Sequence, residues 1–407
     1  MNLRIVSTIF FSGILFLSCK NGGSAQINTD KAENSSENPE TASRNTSIKP
    51  AFEGQTRVKG VHTTTPYDVV ALNSDLGKPW GITNFPDGRF LITEKSGFMM
   101  IVSADGKNLK KITGFPKVDS KGQGGMLDVA LDPDFKNNRM IYWCFSEPVT
   151  DGNLTSVAKG KLSEDESKIE NAVVIFRAKP VYDGDKHFGS RLQFDKTGNL
   201  FVSTGERSDR ETRPLAQDQT TYFGKILKIT KEGNPASENP KISGWKPEIY
   251  STGHRNPQGI ALNPKSGELW VAEMGPKGGD EINRIEAGKN YGWPTITYGE
   301  EYSGLTIGEG IGEKSGFEQP VYFWDPSVSP SGVDFYTGNI PEWKNNLMIG
   351  CLSGEKIIRL VIENNKVIGE EWLLADKKER IRDVLNGNDG NLYAVTDSGK
   401  LLKIYKK

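Results

Sequence analysis

His187 and Glu206 lie where they could form a general base and its acidic partner. His187 is in the glycine-rich stretch GDKHFGSRL, directly before an apolar run, and Glu206 ends the following run, FVSTGE. A carboxylate beside an imidazole orients the ring and stabilises its charged form, as in many general bases. We therefore predict a catalytic His187 with Glu206 as its partner; the alternative is an ordinary surface histidine in a loop.

Arginines provide candidate anion-binding groups in two further segments. Arg255 and Asn256 precede a proline in GHRNPQG, where a guanidinium could bind a carboxylate or a developing oxyanion. In the stretch RIR, Arg380 and Arg382 project to the same face if the backbone is extended, which is costly unless a polyanion lies between them. The alternatives are a loop held by side-chain-to-backbone bonds and an exposed basic edge that discourages aggregation.

Two glycine-rich segments could hold a ligand or a cation. Gln123 in GQGGMLDV lies among glycines that allow close approach of a ligand. In EMGPKGGDEIN, the backbone carbonyls of Gly275 and Pro276 and the carboxylates of Asp280 and Glu281 are hard oxygen donors, which calcium prefers. The segment does not have the pattern of an EF-hand, so a solvated acidic turn is the alternative.

The elements that must position these residues form an internal repeat. Each copy is a short strand, a polar turn and a second strand that ends in a small or acidic residue; the copies begin at Gly81, Leu127, Ser190, Gln258, Ser331 and Arg382. Alternating apolar positions and turns such as PDG, DKTG and NDG are typical of β-hairpins. Six copies spaced by roughly fifty to seventy residues predict an all-β, six-bladed β-propeller of four-stranded antiparallel blades. A pair of β-sandwiches and a seven-bladed ring are the alternatives.

The propeller is predicted to span residues 58–407, with strand 68–72 closing the ring by joining the last blade. Cys144 and Cys351 fall in blades two and five, across the ring, so we predict no disulfide between them. A content of 35% hydrophobic residues, with 45 glycines and 21 prolines, is typical of a globular protein rich in strands and turns. The formal net charge of −1 provides no electrostatic argument for a nucleic-acid partner or an anionic membrane surface.

Residues 1–19 resemble a signal peptide. Arg4 supplies a positive start, residues 5–17 are apolar over a length too short to span a bilayer, and FLSC is similar to the lipobox of bacterial lipoproteins. We predict export to the periplasm or cell envelope with a lipid anchor on Cys19; a plain cleaved signal peptide is the alternative. Residues 20–57 are polar and almost free of large apolar side chains, which predicts a disordered linker.

Taken in order, these segments resemble the pyrroloquinoline quinone (PQQ)-dependent soluble aldose sugar dehydrogenases, the family that includes soluble quinoprotein glucose dehydrogenase. The resemblance runs from about Trp80 to the C-terminus and is carried by GQGGMLDVALDPDF, HFGSRL, GHRNPQGIALNP, GPKGGDEIN, GKNYGWP and RIRDV. It implies a six-bladed propeller that oxidises aldose sugars at C1 to the lactone by hydride transfer to PQQ. The electrons would pass to an external acceptor, such as a quinone or a small redox protein.

The resemblance also implies roles for individual residues. His187 would take the proton from the sugar C1 hydroxyl, Glu206 would be its acidic partner, and Arg255 would lie near the reacting centre. The residues implied to hold PQQ are Gln123, Arg255, Asn256, Ser327, Arg380 and Arg382. The implied calcium ligands are the backbone carbonyls of Gly275 and Pro276 for an ion that also binds PQQ, and Glu281 with the backbone carbonyl of Tyr291 for a structural ion.

One position departs from the family pattern. After the leucine of CLSG the family commonly has a lysine that contacts the cofactor, whereas this chain has Ser353; Lys356 is close but lies further along the chain. Two other functions therefore stay open. One is a calcium-dependent propeller hydrolase such as a sugar lactonase, which needs neither Arg380 nor Arg382, and the other is a non-catalytic binding propeller.

Overall fold

Short strands with alternating apolar residues pair into six four-stranded antiparallel sheets, arranged as the blades of a propeller. The computed structural model describes residues 37–407. The first strand of every blade contributes residues to one central channel, namely Thr83, Ala130, Gln193, Ile260, Val333 and Val384. The prediction of an all-β, six-bladed propeller is confirmed, and both the seven-bladed ring and the sandwich pair are wrong.

The strands follow the chain from the channel to the rim of each blade, except that β1 (Tyr67–Asn73) is the outer strand of blade six. Blade one contains β2 (Pro79–Asn84), β3 (Phe90–Glu94), β4 (Phe98–Val102) and β5 (Leu109–Ile112). Blade two contains β6 (Met126–Leu131), β7 (Met140–Val149), β8 (Gly152–Leu162) and β9 (Ile169–Arg177). Blade three contains β10 (Leu192–Phe194), β11 (Leu200–Thr204), β12 (Lys225–Ile229) and β13 (Ile249–Thr252). Blade four contains β14 (Pro257–Leu262), β15 (Leu269–Glu273), β16 (Asp280–Ile285) and β17 (Tyr322–Trp324). Blade five contains β18 (Pro330–Phe335), β19 (Leu347–Cys351), β20 (Lys356–Glu363) and β21 (Lys366–Leu373). Blade six contains β22 (Ile381–Asn386), β23 (Leu392–Thr396) and β24 (Leu401–Lys406).

The ring is closed by strands from the two ends of the described chain. Strand β1 pairs antiparallel with β24, so that Val69 lies opposite Ile404 and Tyr67 opposite Lys406. The prediction that residues 68–72 join the last blade is confirmed. Because the first and last parts of the domain share one sheet, blade six cannot form until both are present.

Packing between neighbouring sheets forms the core. The side chains of Trp143, Trp270 and Trp343 are fully buried, and Trp270 meets Phe335 of the next blade edge to face, with ring centroids 5.9 Å apart. Burying each large apolar side chain contributes roughly 1.5–3 kcal/mol. This packing holds the blades, and with them the loops at the channel mouth, in fixed relative positions.

Cys144 lies in β7 and Cys351 in β19, in blades two and five as predicted. Both thiols are buried and neither forms a disulfide. Burial raises the pKa of both thiols above the usual value, so each thiol stays protonated and behaves as a small apolar side chain.

Within the part of the chain that the structure describes, helical structure is confined to short connections. The α-helix α1 (Phe135–Asn138) and three 3-10 segments, Arg213–Gln217, Pro341–Trp343 and Ala375–Lys377, each span at most five residues. Within residues 37–407, no helix has the length and apolar character needed to cross a membrane. The predicted signal peptide (1–19), including Cys19, and residues 20–36 lie outside the described residues.

Residues 37–57, which we call the N-terminal strap, contain no strand but are held against the propeller. The backbone N–H groups of Asn45 and Thr46 donate to the two carboxylate oxygens of Asp325, at 2.9 and 3.0 Å. The side chain of Asp325 is fully buried, and its backbone carbonyl accepts a bond from Arg57 at 2.9 Å. The prediction of a disordered linker is therefore wrong for residues 37–57, because the propeller supplies polar partners that the composition of the strap does not reveal.

Candidate active site

A cleft of about 600 Å³ opens where the loops before the first strands meet the loops after the second strands of the blades. Its walls include Trp80, Gln123, Gly189, Met274, Arg380 and Arg382. These residues come from five of the six blades. The cleft thus brings together segments that are far apart in the sequence.

His187 and Glu206 form a buried pair beside this cleft. His187 Nδ1 lies 2.8 Å from Glu206 Oε1, and the two side chains are 8% and 1% exposed. The other carboxylate oxygen of Glu206 accepts the backbone N–H of Ser208 at 2.5 Å. The carboxylate is therefore fixed on one ring nitrogen, which leaves Nε2 available to a ligand.

The protonation of His187 suits a base. Burial lowers the pKa of the imidazole below its usual value, and the guanidinium of Arg255 acts in the same direction. Glu206 opposes this shift through its hydrogen bond and its charge. The ring is then neutral near pH 7, with Nδ1–H donating to Glu206 and the Nε2 lone pair free to accept a proton.

The backbone around His187 is held from two neighbouring blades. The side-chain oxygen of Gln123 accepts the His187 N–H at 2.9 Å, and that of Asn256 accepts the Gly189 N–H at 3.1 Å. His187 itself has a φ of 48°, which a residue with a Cβ adopts only when its surroundings fix it. Gln123 and Asn256, both predicted to hold the cofactor, thus also shape the histidine loop.

Arg255 lies between the histidine pair and the glycine-rich turn of blade four. Its Nη1 donates to the carbonyls of Met274 and Gly275 at 2.9 and 2.5 Å, whereas its buried Nε has no partner within residues 37–407. Glu273 accepts the Arg255 backbone N–H and bonds His254 Nδ1 at 2.9 Å. Glu273 and His254 were not predicted from the sequence, although they lie inside the motifs EMGPKGGDEIN and GHRNPQG.

The two arginines of RIR share one carboxylate. Arg380 Nε lies 3.0 Å from Asp397 Oδ2, and Arg382 Nε lies 3.0 Å from Asp397 Oδ1. Both arginines line the cleft, so the two guanidiniums face the same space. Asp397, which the sequence analysis missed, offsets one of the two positive charges, and an anionic ligand would offset the other.

The turn GPKGGDEIN joins β15 to β16 and depends on two glycines. Gly278 and Gly279 have φ values of 80° and 71°, in the left-handed region that favours glycine. A Cβ on Gly278 would lie 2.6 Å from a carboxylate oxygen of Asp325. The turn can therefore approach Asp325, which the N-terminal strap also contacts, only because residue 278 is a glycine without a side chain.

Asp280 fixes the same turn from the protein interior. One of its oxygens accepts the N–H of Gly275 and the other accepts those of Val328 and Ser329, all at 2.7 Å. Burial raises the pKa of Asp280 to about 6, and these three bonds act against that rise. Asp280, whose carboxylate was one of the candidate calcium donors in the sequence, thus joins the turn of blade four to the start of blade five.

The carbonyls predicted to bind calcium each accept one protein hydrogen bond. Gly275 O accepts from Arg255, and Pro276 O accepts from Ser327 Oγ at 3.0 Å. A carbonyl oxygen has a second lone pair, so both remain able to bind a cation. Ser327 Oγ also accepts the Gly278 N–H at 2.7 Å and does not line the cleft. Its contact with the cofactor stays a prediction, and its observed bonds shape the turn.

Glu281 faces a second buried carboxylate. It lies directly opposite Glu273 in the β15–β16 pair, and Asn283 donates to it at 3.0 Å. Burial and the negative charge of Glu273 raise the pKa of Glu281 to about 8. Both carboxylates line a small cavity with Tyr291, and such a donor set suits calcium. Across residues 37–407, no group of three or more histidine, cysteine, aspartate or glutamate side chains is arranged to hold a metal, so both predicted sites depend on backbone oxygens.

The lysine of the family pattern is not replaced by Lys356. Its Nζ lies over the ring of Trp372, 3.1 Å from the centroid, and it does not line the cleft. The hydroxyl of Ser353 lies 2.7 Å from that of Ser329. Lys95, directly after β3, does line the cleft. It was not predicted from the sequence, although it directly follows Glu94, the acidic end of the second strand in the first repeat copy.

Arg191 lines the central channel. Its Nη1 lies 2.7 Å from Asp383 Oδ2 and 3.2 Å from Asp128 Oδ1, and its Nη2 donates to the Arg382 carbonyl at 3.0 Å. The guanidinium lies 4.2 Å from the ring centroid of Trp80, a wall residue. Arg191 therefore joins blades three, two and six below Arg382. This role was not predicted from the sequence, although Arg191, Asp128 and Asp383 lie in the motifs HFGSRL, GQGGMLDV and RIRDV.

The residues present fit a planar, anionic cofactor. The cleft combines apolar surface from Trp80 and Leu352 with the positive side chains of Lys95, Arg380 and Arg382. A planar ring system bearing carboxylates needs both kinds of wall. Of the residues predicted to hold PQQ, Gln123, Arg380 and Arg382 line this cleft, whereas Arg255, Asn256 and Ser327 do not.

Comparison with known proteins gives a consistent result. A family model described as glucose/sorbosone dehydrogenase matches residues 76–403. Aldose sugar dehydrogenase YliI of Escherichia coli strain K12 is 44% identical over 346 residues, which are 83% of this chain and 92% of that protein. Among solved structures, the soluble aldose sugar dehydrogenase of Escherichia coli in its apo form matches with a TM-score of 0.80 and 43% identity, covering 84% of this chain and 100% of that one. The PQQ-bound form of aldose sugar dehydrogenase from Streptomyces coelicolor matches with a TM-score of 0.70 and 27% identity, over 84% and 100%.

Proposed function

The chain belongs to the glucose/sorbosone dehydrogenase family, and on that basis we propose that it oxidises aldose sugars at C1 to the lactone, with PQQ as hydride acceptor and calcium as a second cofactor. The similarity to sugar dehydrogenases supports an oxidoreductase. The oxidation of aldoses with PQQ is supported by the position of the His187–Glu206 pair beside a cleft walled by Arg380 and Arg382.

In this proposal His187 Nε2 takes the proton from the sugar C1 hydroxyl as the hydride leaves C1. Glu206 holds the ring through Nδ1 and stabilises the imidazolium that forms. Arg255, with its unpartnered buried Nε, provides a donor for an oxygen at the reacting centre. Because the pair is buried, water competes little with the substrate for these groups.

The cofactors would be held by side chains and carbonyls around the same cleft. Arg380 and Arg382 bind carboxylates, and the carbonyls of Gly275 and Pro276 bind calcium. When bound, PQQ supplies a two-electron acceptor that protein side chains cannot provide, and calcium supplies a Lewis acid. Glu281 and the Tyr291 carbonyl hold the structural calcium of the proposal.

The same geometry distinguishes this function from hydrolysis. A calcium-dependent lactonase could use His187 and the cation, but it would have no use for two arginines turned into the cleft. A non-catalytic propeller would have no use for a base with one ring nitrogen fixed by a buried carboxylate. The combination of both features favours a dehydrogenase.

The proposal is tested by reconstituting purified protein with PQQ and calcium and measuring dye reduction with several aldoses. We expect activity that requires both cofactors and falls by a factor on the order of 10³ in His187→Ala. Absence of activity with every aldose while PQQ binding is saturated would overturn the proposal. Lactone hydrolysis without PQQ, unchanged when Arg380 and Arg382 are replaced, would instead establish the hydrolase.

We further propose that the protein is exported and anchored through acylated Cys19, and that its electrons pass to an external quinone or small redox protein. The support is the lipobox-like FLSC after an apolar stretch. Cys19→Ala should move the protein from the membrane fraction to the soluble fraction and abolish labelling by a fatty acid. A soluble, unlabelled wild-type protein would contradict the anchor.

A further inference from the structure

The wall of the cleft carries more positive charge than its protein partners balance. Lys95, Arg380 and Arg382 all line the cleft, and Asp397 is the carboxylate that pairs with both arginines. Lys95 forms no ion pair with any carboxylate of residues 37–407; its Nζ donates to the carbonyl of Gly122. Three cations thus face one space with a single paired carboxylate.

The backbone of Lys95 is fixed at the junction of blades one and two. Its N–H donates to the Lys78 carbonyl at 3.0 Å, and its carbonyl accepts the Met126 N–H at 3.1 Å. Gly125, with a φ of 133°, allows this approach, because a Cβ there would lie 2.3 Å from the Lys95 carbonyl oxygen. The side chain therefore starts from a set position and extends along the cleft wall beside Gly122.

The energetic cost of this arrangement points to an anion. Burial lowers the pKa of Lys95, and the neighbouring cations Lys78 and Arg382 act in the same direction, whereas the charges of Asp397 and Asp185 oppose the shift. Neither carboxylate forms an ion pair with Lys95, so holding this partly buried ammonium without a contacting counter-charge is a net cost in the ligand-free protein. A carboxylate bound in the cleft would offset that cost by pairing with Lys95, and it would do the same for the two arginines.

We infer that Lys95 binds a carboxylate of the cofactor, so that blade one supplies the third cation that Ser353 of blade five cannot supply. This inference rests on the proposed function, because it takes the ligand to be PQQ. A ligand with three carboxylates matches three cations better than a neutral sugar or lactone does. The lysine expected in the CLSG segment is thus replaced by one that reaches the cleft from a different blade.

The test is a PQQ titration of the full chain in the presence of calcium, followed by quenching of tryptophan fluorescence, since Trp80 lines the cleft. Lys95→Met should weaken PQQ binding by about 10- to 100-fold. Lys95→Arg should keep most of the affinity because it retains the charge. The matched control is Lys78→Met, which removes a nearby exposed lysine that does not line the cleft and should change binding by less than about threefold.

The outcomes separate the inference from the proposed function. If wild-type protein binds PQQ and Lys95→Met binds it equally well, the inference is wrong and the proposed function stands. If Lys95→Arg is as weak as Lys95→Met, the residue contributes packing rather than charge, and the inference is again wrong. If the wild type does not bind PQQ at all, both are overturned. Thermal melting of each variant checks that loss of binding does not come from unfolding.

Discussion

His187 combines a buried ring with one fixed nitrogen, and both properties bear on the pH at which it can act. Its lowered pKa keeps the imidazole neutral to a more acidic pH than an exposed histidine allows. Glu206 raises that pKa again, so removing its charge should lower it further. The pair therefore offers a test in which the direction of a pH shift, and not only a rate, is informative.

The pH profile of kcat/KM should fall on the acid side with an apparent pKa below 6.5, because protonation removes the base. In Glu206→Gln this limb should move to lower pH, since the imidazolium loses its stabilising carboxylate, while kcat drops by roughly 10²–10⁴-fold. Steady-state rates at saturating PQQ and calcium from about pH 4.5 to pH 8 check this. An acid limb that is unchanged in Glu206→Gln would show that His187 is not the titrating group.

Arg382 and Arg380 make unequal contributions in the structure. Arg382 contacts Asp397 through both Nε and Nη2, and its side chain is 17% exposed compared with 47% for Arg380. Charged hydrogen bonds are stronger where water is excluded. We predict that Arg382→Met weakens PQQ binding by about 10- to 100-fold and that Arg380→Met weakens it less. Titration of both variants in parallel decides this, and a larger loss for Arg380→Met would contradict it.

At the scale of the repeated elements, an acidic residue at or just after the end of a blade's second strand binds residues before or at the start of the first strand of the same blade. The four cases are Glu94 with the N–H groups of Gly77 and Lys78, Glu206 with His187, Glu273 with His254 and Arg255, and Asp397 with Arg380 and Arg382. In blade one this contact is purely structural. The proposed catalytic pair of blade three and the arginine support of blade six are therefore variants of one loop-holding device.

This device also shows how far the sequence could predict the site. The hairpins, the closing strand and the polar motifs were all readable, because turn residues and alternating strands follow local rules. The acidic end of each repeat copy was visible too and could have led to Asp397 and Glu273. The sequence could not show which lysine faces the cleft, because Lys95 and Lys356 both lie near a strand end. In the structure Lys356 packs on the ring of Trp372, whereas Lys95 lines the cleft.

The stability of the turn between β15 and β16 should depend on Asp280. Asp280→Asn replaces one acceptor oxygen with a donor, which then faces the N–H of either Gly275 or Val328. We expect a loss of about 1–3 kcal/mol of stability and weaker calcium binding, because the turn loses a fixed anchor. Thermal melts with and without calcium measure both effects.

The matched control for Asp280→Asn is a residue that contacts the same turn. Glu300 pairs with Lys277 at 2.7 Å, and both side chains are partly exposed. Glu300→Gln should change stability by less than about 1 kcal/mol, as is usual for surface ion pairs. Equal effects of the two substitutions would show that Asp280 has no special role in holding the turn.

At the scale of the whole molecule, Arg191 connects blades that are far apart in the chain. Asp128 of blade two and Asp383 of blade six meet on its guanidinium at the channel centre. Burial raises the pKa of both carboxyls, and Arg191 opposes that rise. The ring of blades is therefore held from inside by one cation as well as from outside by the β1–β24 pair.

Arg191→Met should destabilise the domain by about 3–5 kcal/mol, because it leaves two buried carboxylates without a cation. Their pKa values in the folded state would rise further, so the folded protein would bind more protons than the unfolded chain. Stability would then decrease as pH rises from about 5 to 7, by up to about 1.4 kcal/mol per pH unit for each proton. Denaturant unfolding at several pH values tests this; a slope equal to that of the wild type would contradict the network.

The effect of proteolysis on the domain should depend on where the N-terminal strap is cut. A cut before Glu37 would free the domain from any upstream segment and leave Asn45 and Thr46 on Asp325. A cut after Thr46 would strip a buried carboxylate of those donors beside the turn that we propose binds calcium, at a cost of about 1–3 kcal/mol for each lost partner. Limited proteolysis followed by mass spectrometry and calcium-dependent melting should show a stable first product and a weakened second one; equal melting temperatures would refute this. With the proposed anchor and activity, release of an active domain and its inactivation would then differ only in where a protease cuts within one short segment.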